Sequence, residues 1–221
     1  MDMVVYSYNV DKGMAFQLAR AVAQGYCKYL ARPLVTSLKC FRASHLPRSA
    51  WDEQRQQWNA RKILEHFILQ SAMTCNNLYE DVSVGGYAGA EACLNPEHCT
   101  KLFRKESSIH CCHPTKQLTL LVVDISCFVP PMTEVFGVAI SGEGCLVNIK
   151  ETLNDVSAMI KVSMHEMGHV LGLDHCCNPA CVMAFSEDLF QLNHKQREPC
   201  KGCLSKLEYI HPLLSSLIVE T

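Results

Sequence analysis

The residues best suited to chemistry are concentrated at positions 164–183, in the stretch MHEMGHVLGLDHCCNPACVM. His165 and His169 are four residues apart, so on a helix they lie on one face, a single turn from each other. That spacing allows both imidazoles to bind one Zn²⁺ at about 2.0–2.1 Å. Glu166, next to the first histidine, can then act on a water molecule as general base without being a metal ligand.

The residues after His169 predict a third ligand for the same metal. Gly172 suits the left-handed backbone position at which a helix ends, and the chain can then turn back to bring His175 to the metal. Three protein ligands leave a fourth position for water, which is the arrangement of a catalytic zinc. An amphipathic helix with incidental histidines is the alternative, but the pattern HExxHxxGxxH fixes five positions and favours the metal site.

This stretch resembles the zinc motif of the metzincin clan and, within it, that of the archaemetzincins. In that family the histidine motif continues into H-C-x4-C-x-M and a later C-x-x-C, and this chain has HCCNPACVM followed by CKGC. The resemblance implies a zinc peptidase whose ligands are His165, His169 and His175, with Glu166 as the base. It also implies that Met183 forms the Met-turn, a tight turn beneath the catalytic metal.

Four cysteines near the histidine motif form two close pairs in the sequence. They are Cys176, Cys181, Cys200 and Cys203. The resemblance implies that they bind a second, structural zinc, which makes two zinc ions per chain. Four thiolates also suit a closed tetrahedral site with Zn–S distances of about 2.3 Å, and such a site would hold the neighbouring His175 in place. Free buried cysteines or a disulfide are the alternative.

The composition restricts the compartment and the partners. The chain has 221 residues, 48% of them hydrophobic, and a net charge of −2 without a basic run, which predicts a single globular domain that binds neither nucleic acid nor a membrane surface. The 14 cysteines allow either a disulfide framework or metal ligands with free thiols. The N-terminal stretch MDMVVYSYNVDKG lacks the features of a secretory signal, so we expect a cytoplasmic or nuclear, non-secreted protein with metal ligands and free thiols.

Hydrophobic periodicity predicts a β-α-β-α start, an irregular insertion at 71–116 and a second ordered region. The predicted strands are 3–10, 34–40, 118–126, 134–141 and 145–150, and the predicted helices are 13–30 (capped by Asp11), 59–70, 156–171 (capped by Asn154 or Asp155) and 204–218, the last interrupted at Pro212. Within the insertion, HCCH at 110–113 is a weaker candidate for a further metal site, because adjacent ligands suit tetrahedral geometry poorly.

Together these features predict one α/β (α+β) domain, 1–221, with a metzincin-like mixed twisted sheet. We expect an upper β/α subdomain at 1–171, which contains the active-site helix, and a zinc-stapled C-terminal subdomain at 172–221. Lys161, one turn before His165, is expected on the solvated face of that helix.

The metzincin resemblance also implies how a peptide substrate binds. It implies that an edge strand before the active-site helix pairs with an extended peptide, here through Val135, Gly137 and Ala139. Some metzincins have a tyrosine two residues after the Met-turn methionine, where this chain has Phe185. The resemblance implies an aminopeptidase-like activity on short peptides, and we expect a monomer. A catalytically inactive, zinc-stabilised interaction domain is the alternative.

Overall fold

The computed structural model describes residues 2–27, 35–73, 80–82 and 117–211. The strands in these ranges are β1 (Asp2–Tyr8), β2 (Val35–Cys40), β3 (Trp51–Asp52), β4 (Gln57–Asn59), β5 (Glu80–Val82), β6 (Gln117–Val123), β7 (Cys127–Phe128), β8 (Gly137–Ile140) and β9 (Gly144–Asn148). Six of them form one sheet in the order β5-β2-β1-β6-β9-β8, and the other three form a small sheet in the order β3-β4-β7.

The large sheet is mixed, as the sequence predicted. β1 pairs in parallel with β2 and β6, and β6 pairs in parallel with β9. The two edge strands, β5 and β8, run antiparallel to their neighbours β2 and β9. Residues 118–123 of β6 are all buried, because a continuous apolar strand lies between packed layers on both faces of the sheet. The predicted mixed α/β fold class is therefore confirmed.

Helices cover both faces of the large sheet. They are α1 (Lys12–Gly25), α2 (Ala60–Met73), α3 (Val156–Val170), α4 (Leu189–Asn193) and α5 (Lys201–Ile210). Met3 and Val5 of β1 belong to a core cluster with α1 and α3, whereas Val4 and Tyr6 belong to a second cluster with α2. Alternate residues of a strand point to opposite faces, so β1 contributes to both cores.

The C-terminal part of the chain packs on the same core as α1 and α3. Leu207 of α5 is fully buried and lies in the cluster that contains Met3 of β1. The division of the domain at residue 171 stays a prediction. No helix in the described ranges is long and apolar enough to cross a membrane.

The helix starts follow the predicted capping residues. The Asp11 carboxylate accepts a hydrogen bond from the backbone N–H of Met14 at 3.1 Å, and that of Asp155 accepts from Ser157 at 2.8 Å and from Ala158 at 3.2 Å. An N-terminal carboxylate satisfies N–H groups that have no partner within the helix. α1 and α3 therefore begin where the sequence places them.

Other predicted boundaries differ from the structure. α1 ends at Gly25 rather than at residue 30, and α5 begins at Lys201, three residues before its predicted start. β5 is a strand within 71–116, where the sequence predicted only irregular structure. The HCCH candidate at 110–113 and the predicted interruption at Pro212 lie outside the described residues.

The small sheet is a feature that periodicity missed. Its strands have only two or three residues each, too few for a pattern of alternation. The side chains of Trp51 and Trp58 pair across it, with ring centroids 5.1 Å apart. The small sheet packs beside the start of α2 and takes no part in the site described below.

Candidate metal-binding cleft

Helix α3 carries the first part of the histidine motif into an open cleft of about 730 Å³. His165, Glu166 and His169 all line this cleft. α3 ends at Val170, and Gly172 follows with φ +96°, a conformation that glycine adopts without the steric cost of a Cβ. The chain thereby reverses and brings His175 to the same cleft.

Backbone carbonyl groups orient two of the histidines. Nδ1 of His165 lies 2.7 Å from the carbonyl oxygen of Val182, and Nδ1 of His169 lies 2.6 Å from that of Leu173. Since a carbonyl oxygen can only accept, both Nδ1 atoms carry the proton and donate it. Both Nε2 atoms are therefore the unprotonated nitrogens, and they lie 3.0 Å apart.

The three imidazoles fit a shared zinc ion. One ligand atom from each of His165, His169 and His175 lies within 4.8 Å of the others. Tetrahedral Zn–N bonds of about 2.0–2.1 Å require nitrogen atoms about 3.3 Å apart, close to the separation found for the first two histidines. Two facing Nε2 lone pairs repel each other unless a proton or a cation lies between them. The carbonyl groups that hold the Nδ1 protons are the usual second shell of a histidine-bound metal.

Burial favours the neutral, metal-binding form of His165 and His175. Burial lowers the pKa of His165 to about 3. Burial also lowers the pKa of His175, and the nearby imidazole of His169 lowers it further. A neutral imidazole has the free lone pair that a metal ligand needs. The ring of Phe185 lies 5.3 Å from that of His175, so an aromatic ring occupies the predicted position but offers no ligand atom.

Glu166 lies in the wall of the cleft against the edge strand of the sheet. Its side chain is only 7% exposed, and burial raises its pKa to about 8. A Cβ atom at Gly137 would lie 2.6 Å from Cγ of Glu166 and 2.7 Å from the carbonyl oxygen of Leu146. Only glycine therefore allows β8 to approach the glutamate so closely.

The hydrogen-bond register of β8 leaves two residues with backbone groups on its outer side. The backbone N–H of Asn148 in β9 donates to the carbonyl of Phe136 at 2.8 Å, and Gly137 lies opposite Val147. In an antiparallel pair, hydrogen-bonded and non-hydrogen-bonded positions alternate, so the N–H and C=O groups of Gly137 and Ala139 point away from β9. No strand pairs with that side of β8 in the part of the chain that the structure describes.

Val135, the third residue predicted to contact a peptide, has a different environment. Its side chain is buried in the second core cluster, and its carbonyl accepts a hydrogen bond from the Asn148 side chain at 3.2 Å. Val135 and Gly137 line the cleft, whereas Ala139 lies further along β8 and is not part of the cleft wall. The three residues predicted to contact a peptide thus lie along the same edge of the large sheet, but only Val135 and Gly137 line the cleft.

The four predicted cysteines form a compact cluster next to the histidines. Sγ of Cys176 lies 3.8 Å from that of Cys200, and Sγ of Cys181 lies 3.9 Å from that of Cys203. All four sulfur atoms lie within 4.8 Å of one another. Tetrahedral Zn–S bonds of about 2.3 Å require sulfur atoms about 3.8 Å apart, so the cluster has the dimensions of a four-thiolate zinc site.

The ionisation of these thiols also depends on a cation. The backbone N–H of Cys203 lowers the pKa of the Cys200 thiol to about 7. Burial raises the pKa of Cys181 and of Cys203. Four thiolates this close together repel one another, so all four ionise only around a positive ion. None of the nine described cysteines forms a disulfide.

Met183 packs directly against helix α3. It is fully buried, and its sulfur atom would lie 2.3 Å from a Cβ atom added at Gly168. Its carbonyl accepts from the backbone N–H of Cys176 at 2.9 Å. Tyr26, at the end of α1, donates its hydroxyl proton to the carbonyl of Met164 at 2.7 Å and closes the space beside Met183. The sequence carried no signal for Tyr26, which is 138 residues from its partner.

Two buried lysines support this region. The sequence predicted that Lys161 is solvated, but it is only 8% exposed, and its ammonium group donates to the carbonyls of Asn193 at 2.8 Å and Leu192 at 3.4 Å. That prediction was wrong because α4 packs across the helix face that carries Lys161. Lys195, only 6% exposed and not singled out by the sequence, donates to the carbonyl of Ala184 in the turn after Met183.

This region is similar to one peptidase family and to several of its members. Residues 115–209 match the model of "Peptidase family M54". The chain is 53% identical over 49 residues to the archaemetzincin of Pyrococcus furiosus, 35% over 92 residues to that of Aeropyrum pernix, and 34% over 98 residues to that of Pyrobaculum aerophilum. These matches span 22%, 39% and 43% of this chain, and 26%, 50% and 63% of the respective relatives.

Solved structures extend the similarity to nearly the whole chain. The archaemetzincin of Methanopyrus kandleri matches with a TM-score of 0.63 at 20% identity, over 95% of this chain and 94% of its own. A zinc-dependent peptidase from Methanocorpusculum labreanum matches with a TM-score of 0.62 at 19% identity, over 94% of this chain and 100% of its own. At these identities the structural match shows the fold alone.

Proposed function

We propose that this chain is a zinc-dependent peptidase that hydrolyses peptide bonds, because residues 115–209 match the model of peptidase family M54 and the chain is similar to archaemetzincins. The observation that carries the proposal is the cleft, where His165 and His169 turn unprotonated Nε2 atoms 3.0 Å apart towards a common point. The buried carboxyl group of Glu166 lies in the same wall. Ligand atoms beside a buried acid are the parts that metal-assisted hydrolysis requires.

The residues proposed to hold the catalytic zinc are His165, His169 and His175. A zinc ion bound there supplies Lewis acidity, which polarises a carbonyl group and acidifies water. Cys176, Cys181, Cys200 and Cys203 are proposed to hold the second, structural zinc. Its four thiolates complete a tetrahedral coordination shell, which leaves no position for substrate.

Glu166 is proposed to be the general base. Its carboxylate takes a proton from the attacking water and delivers it to the nitrogen of the leaving amine, so that each peptide bond cleaved consumes one water molecule. The wall formed by Gly137 holds the side chain in place, and its burial keeps the proton transfer apart from bulk solvent. General acid–base catalysis of this kind contributes about 10²–10⁴-fold to the rate.

An extended peptide is proposed to bind along the outer side of β8. The backbone groups of Gly137 and Ala139 that point away from β9 can form the hydrogen bonds of an added strand. Val135 contributes as part of the cleft wall beside them. A monomer suffices for this function, because every group named belongs to one chain. Aminopeptidase-like cleavage of short peptides is the proposed form of the activity.

The decisive experiment compares wild type with Glu166→Gln on a library of short peptides, with metal content measured in both. The expected result is that hydrolysis falls by about 10²–10⁴-fold while the bound zinc is unchanged. Glu208→Gln, an exposed carboxylate on α5, serves as the control with the same change in charge. Equal, metal-independent hydrolysis in wild type and Glu166→Gln would overturn the proposal and leave the zinc-stabilised interaction domain as the better description.

A further inference from the structure

The candidate cleft is lined by an unusual number of carboxyl groups. They are Glu134, Glu151, Glu166, Glu187 and Asp188. No lysine or arginine is among the described residues that line it. The whole chain has a net charge of only −2, so the negative charge of the cleft is a local concentration and not a general property of the surface.

The carboxylates reach the cleft from two separate parts of the fold. Glu134 precedes the edge strand β8, and Glu151 lies in the 3₁₀ helix Lys150–Thr152, which follows β9. Glu187 and Asp188 follow the turn that contains Met183 and lead into α4. A group bound in the cleft is therefore exposed to negative charge from both the sheet and the C-terminal part.

No salt bridge to these carboxylates is found among the described residues, although Lys150 partly offsets the charge around Glu151. The ion pair described in these ranges joins Arg61 and Glu65, which are remote from the cleft. Burial raises the pKa of Glu151, and the nearby carboxylate of Glu134 raises it further against the opposing effect of Lys150. Two like charges kept close together without a counter-ion create a field that attracts a cation.

Two polar groups in the wall of the cleft are buried. Glu166 is 7% exposed and lines the cleft. The hydroxyl oxygen of Ser186, which also lines the cleft, is buried without a partner among the residues that the structure describes. Unsatisfied buried groups are rare in folded proteins, and those in a cleft are available to a bound molecule.

We propose that the cleft selects peptides that carry a lysine or arginine side chain near the bond to be cleaved. This inference rests on the proposed peptidase function and names its substrate class. A cation in the cleft finds up to four carboxylates besides the base Glu166 and an unoccupied hydroxyl acceptor. Clefts lined by one sign of charge raise the local concentration of the opposite charge and exclude like charge.

The test uses the zinc-loaded full chain and matched peptides that differ at a single position, with lysine, norleucine or glutamate. Norleucine has nearly the length of lysine without its charge. The expected order of kcat/KM is lysine above norleucine above glutamate. The preference should shrink between about 0.01 M and about 1 M salt, because the Debye length falls from about 30 Å to about 3 Å. Comparison of free and acetylated N-termini separates the α-amino group from the side chain as the source of the charge.

The variants remove charge while keeping shape. Glu134→Gln, Glu151→Gln and Glu187→Gln should each reduce the lysine-over-norleucine ratio about two- to fivefold, and the triple variant about tenfold or more. Asp188→Asn keeps the cap of α4, since asparagine caps as well as aspartate, and should give a similar single effect. Glu208→Gln, outside the cleft, should leave the ratio unchanged. An unchanged ratio in the triple variant would overturn the proposal.

A binding measurement separates this proposal from the proposed catalytic function. Fluorescence-labelled lysine, norleucine and glutamate peptides are titrated onto Glu166→Gln, which keeps the other four carboxylates and is expected not to turn over. Tighter binding of the lysine peptide supports charge selection even if wild type cleaves nothing, which would reject the catalytic function alone. Equal affinity for the three peptides, or no binding of any of them, rejects charge selection even if wild type is an active peptidase.

Discussion

The histidine and cysteine clusters are neighbours in the sequence but differ in the access they give to solvent. Three histidines offer nitrogen ligands at the edge of a cleft of about 730 Å³. A metal bound by these three ligands would keep a fourth coordination position open to the cleft. Four cysteines offer sulfur ligands about as far apart as a closed tetrahedral site requires, and two of them are fully or almost fully buried. The histidine cluster suits catalysis because it has three ligands and opens to the cleft. The cysteine cluster suits a stabilising role because it has four ligands and is more buried.

The closed cluster also supports the open one. Cys176 directly follows His175, and the carbonyl that orients His165 belongs to Val182, next to Cys181. A metal held by the cysteines would therefore fix both His175 and the Val182 carbonyl that accepts the Nδ1 proton of His165. The difference between the clusters suggests a division of labour in which loss of one metal affects mainly activity and loss of the other affects both folding and activity.

The largest expected effect is the loss of activity in His169→Ala. Removal of one of three ligands should lower kcat/KM by about 10³-fold or more and reduce the bound zinc from two ions to one. The melting temperature should change little, because the cysteine cluster remains. Activity assays, metal analysis and thermal unfolding of the same preparation check this prediction. A large fall in melting temperature would show that the two clusters do not divide their roles as proposed.

Cys203→Ser, the corresponding change in the cysteine cluster, should mainly lower the stability of the fold. The free energy of unfolding should fall by several kcal/mol, since the metal-binding free energy of a structural zinc is part of the folding free energy. Activity should also fall, because His175 and the Val182 carbonyl lose their support. Cys177→Ser is the matched control, since Cys177 is exposed and outside the cluster. Equal denaturation curves and zinc content for the two serine variants would contradict the structural role of the cluster.

Gly137→Ala tests the contact between β8 and the base. The added Cβ would lie 2.6 Å from Cγ of Glu166 and 2.7 Å from the Leu146 carbonyl oxygen, so the glutamate or the strand must move. A shift of about 1 Å in a catalytic group can cost about 10²-fold in rate, and the overpacking should cost about 1–3 kcal/mol of stability. Wild-type activity in the alanine variant would show that the position of Glu166 is not critical.

The smallest expected effect belongs to Tyr26→Phe. This change removes the hydroxyl group that donates to the Met164 carbonyl at 2.7 Å and keeps the ring. The free energy of unfolding should fall by about 1–2 kcal/mol, measured by denaturant titration, while zinc content and kcat/KM stay near wild type. A loss of zinc would mean that Tyr26 supports the histidine cluster rather than only the packing beneath it.

The sequence predicts much of the site because its parts are close in the chain. The helical spacing of His165 and His169, the capping residue Asp155 and the glycine that ends α3 are local features with local physical causes. The structure contains all three. The buried central strand followed equally from a continuous apolar run, and the predicted fold class is confirmed.

The sequence did not predict groups whose role depends on distant partners. Lys161 looked like a surface residue, but α4 covers it, and Tyr26 meets Met164 across 138 positions of the chain. The sequence also did not predict the small sheet, because strands of two or three residues are too short to show an alternation of apolar and polar residues. For Lys161 and Tyr26 the deciding interaction is long-range and leaves no local pattern in the sequence.

By itself, the sequence determined the two candidate ligand sets and the helices near them, because ligand spacing and capping act within a few residues. Only the tertiary structure decided which groups face the cleft. It set Gly137 against Glu166, turned the outer backbone groups of β8 to the open side and gathered carboxylates from two distant segments into one wall. Such proximity arises when the sheet and the C-terminal part pack on a shared core, and it has no counterpart in sequence spacing.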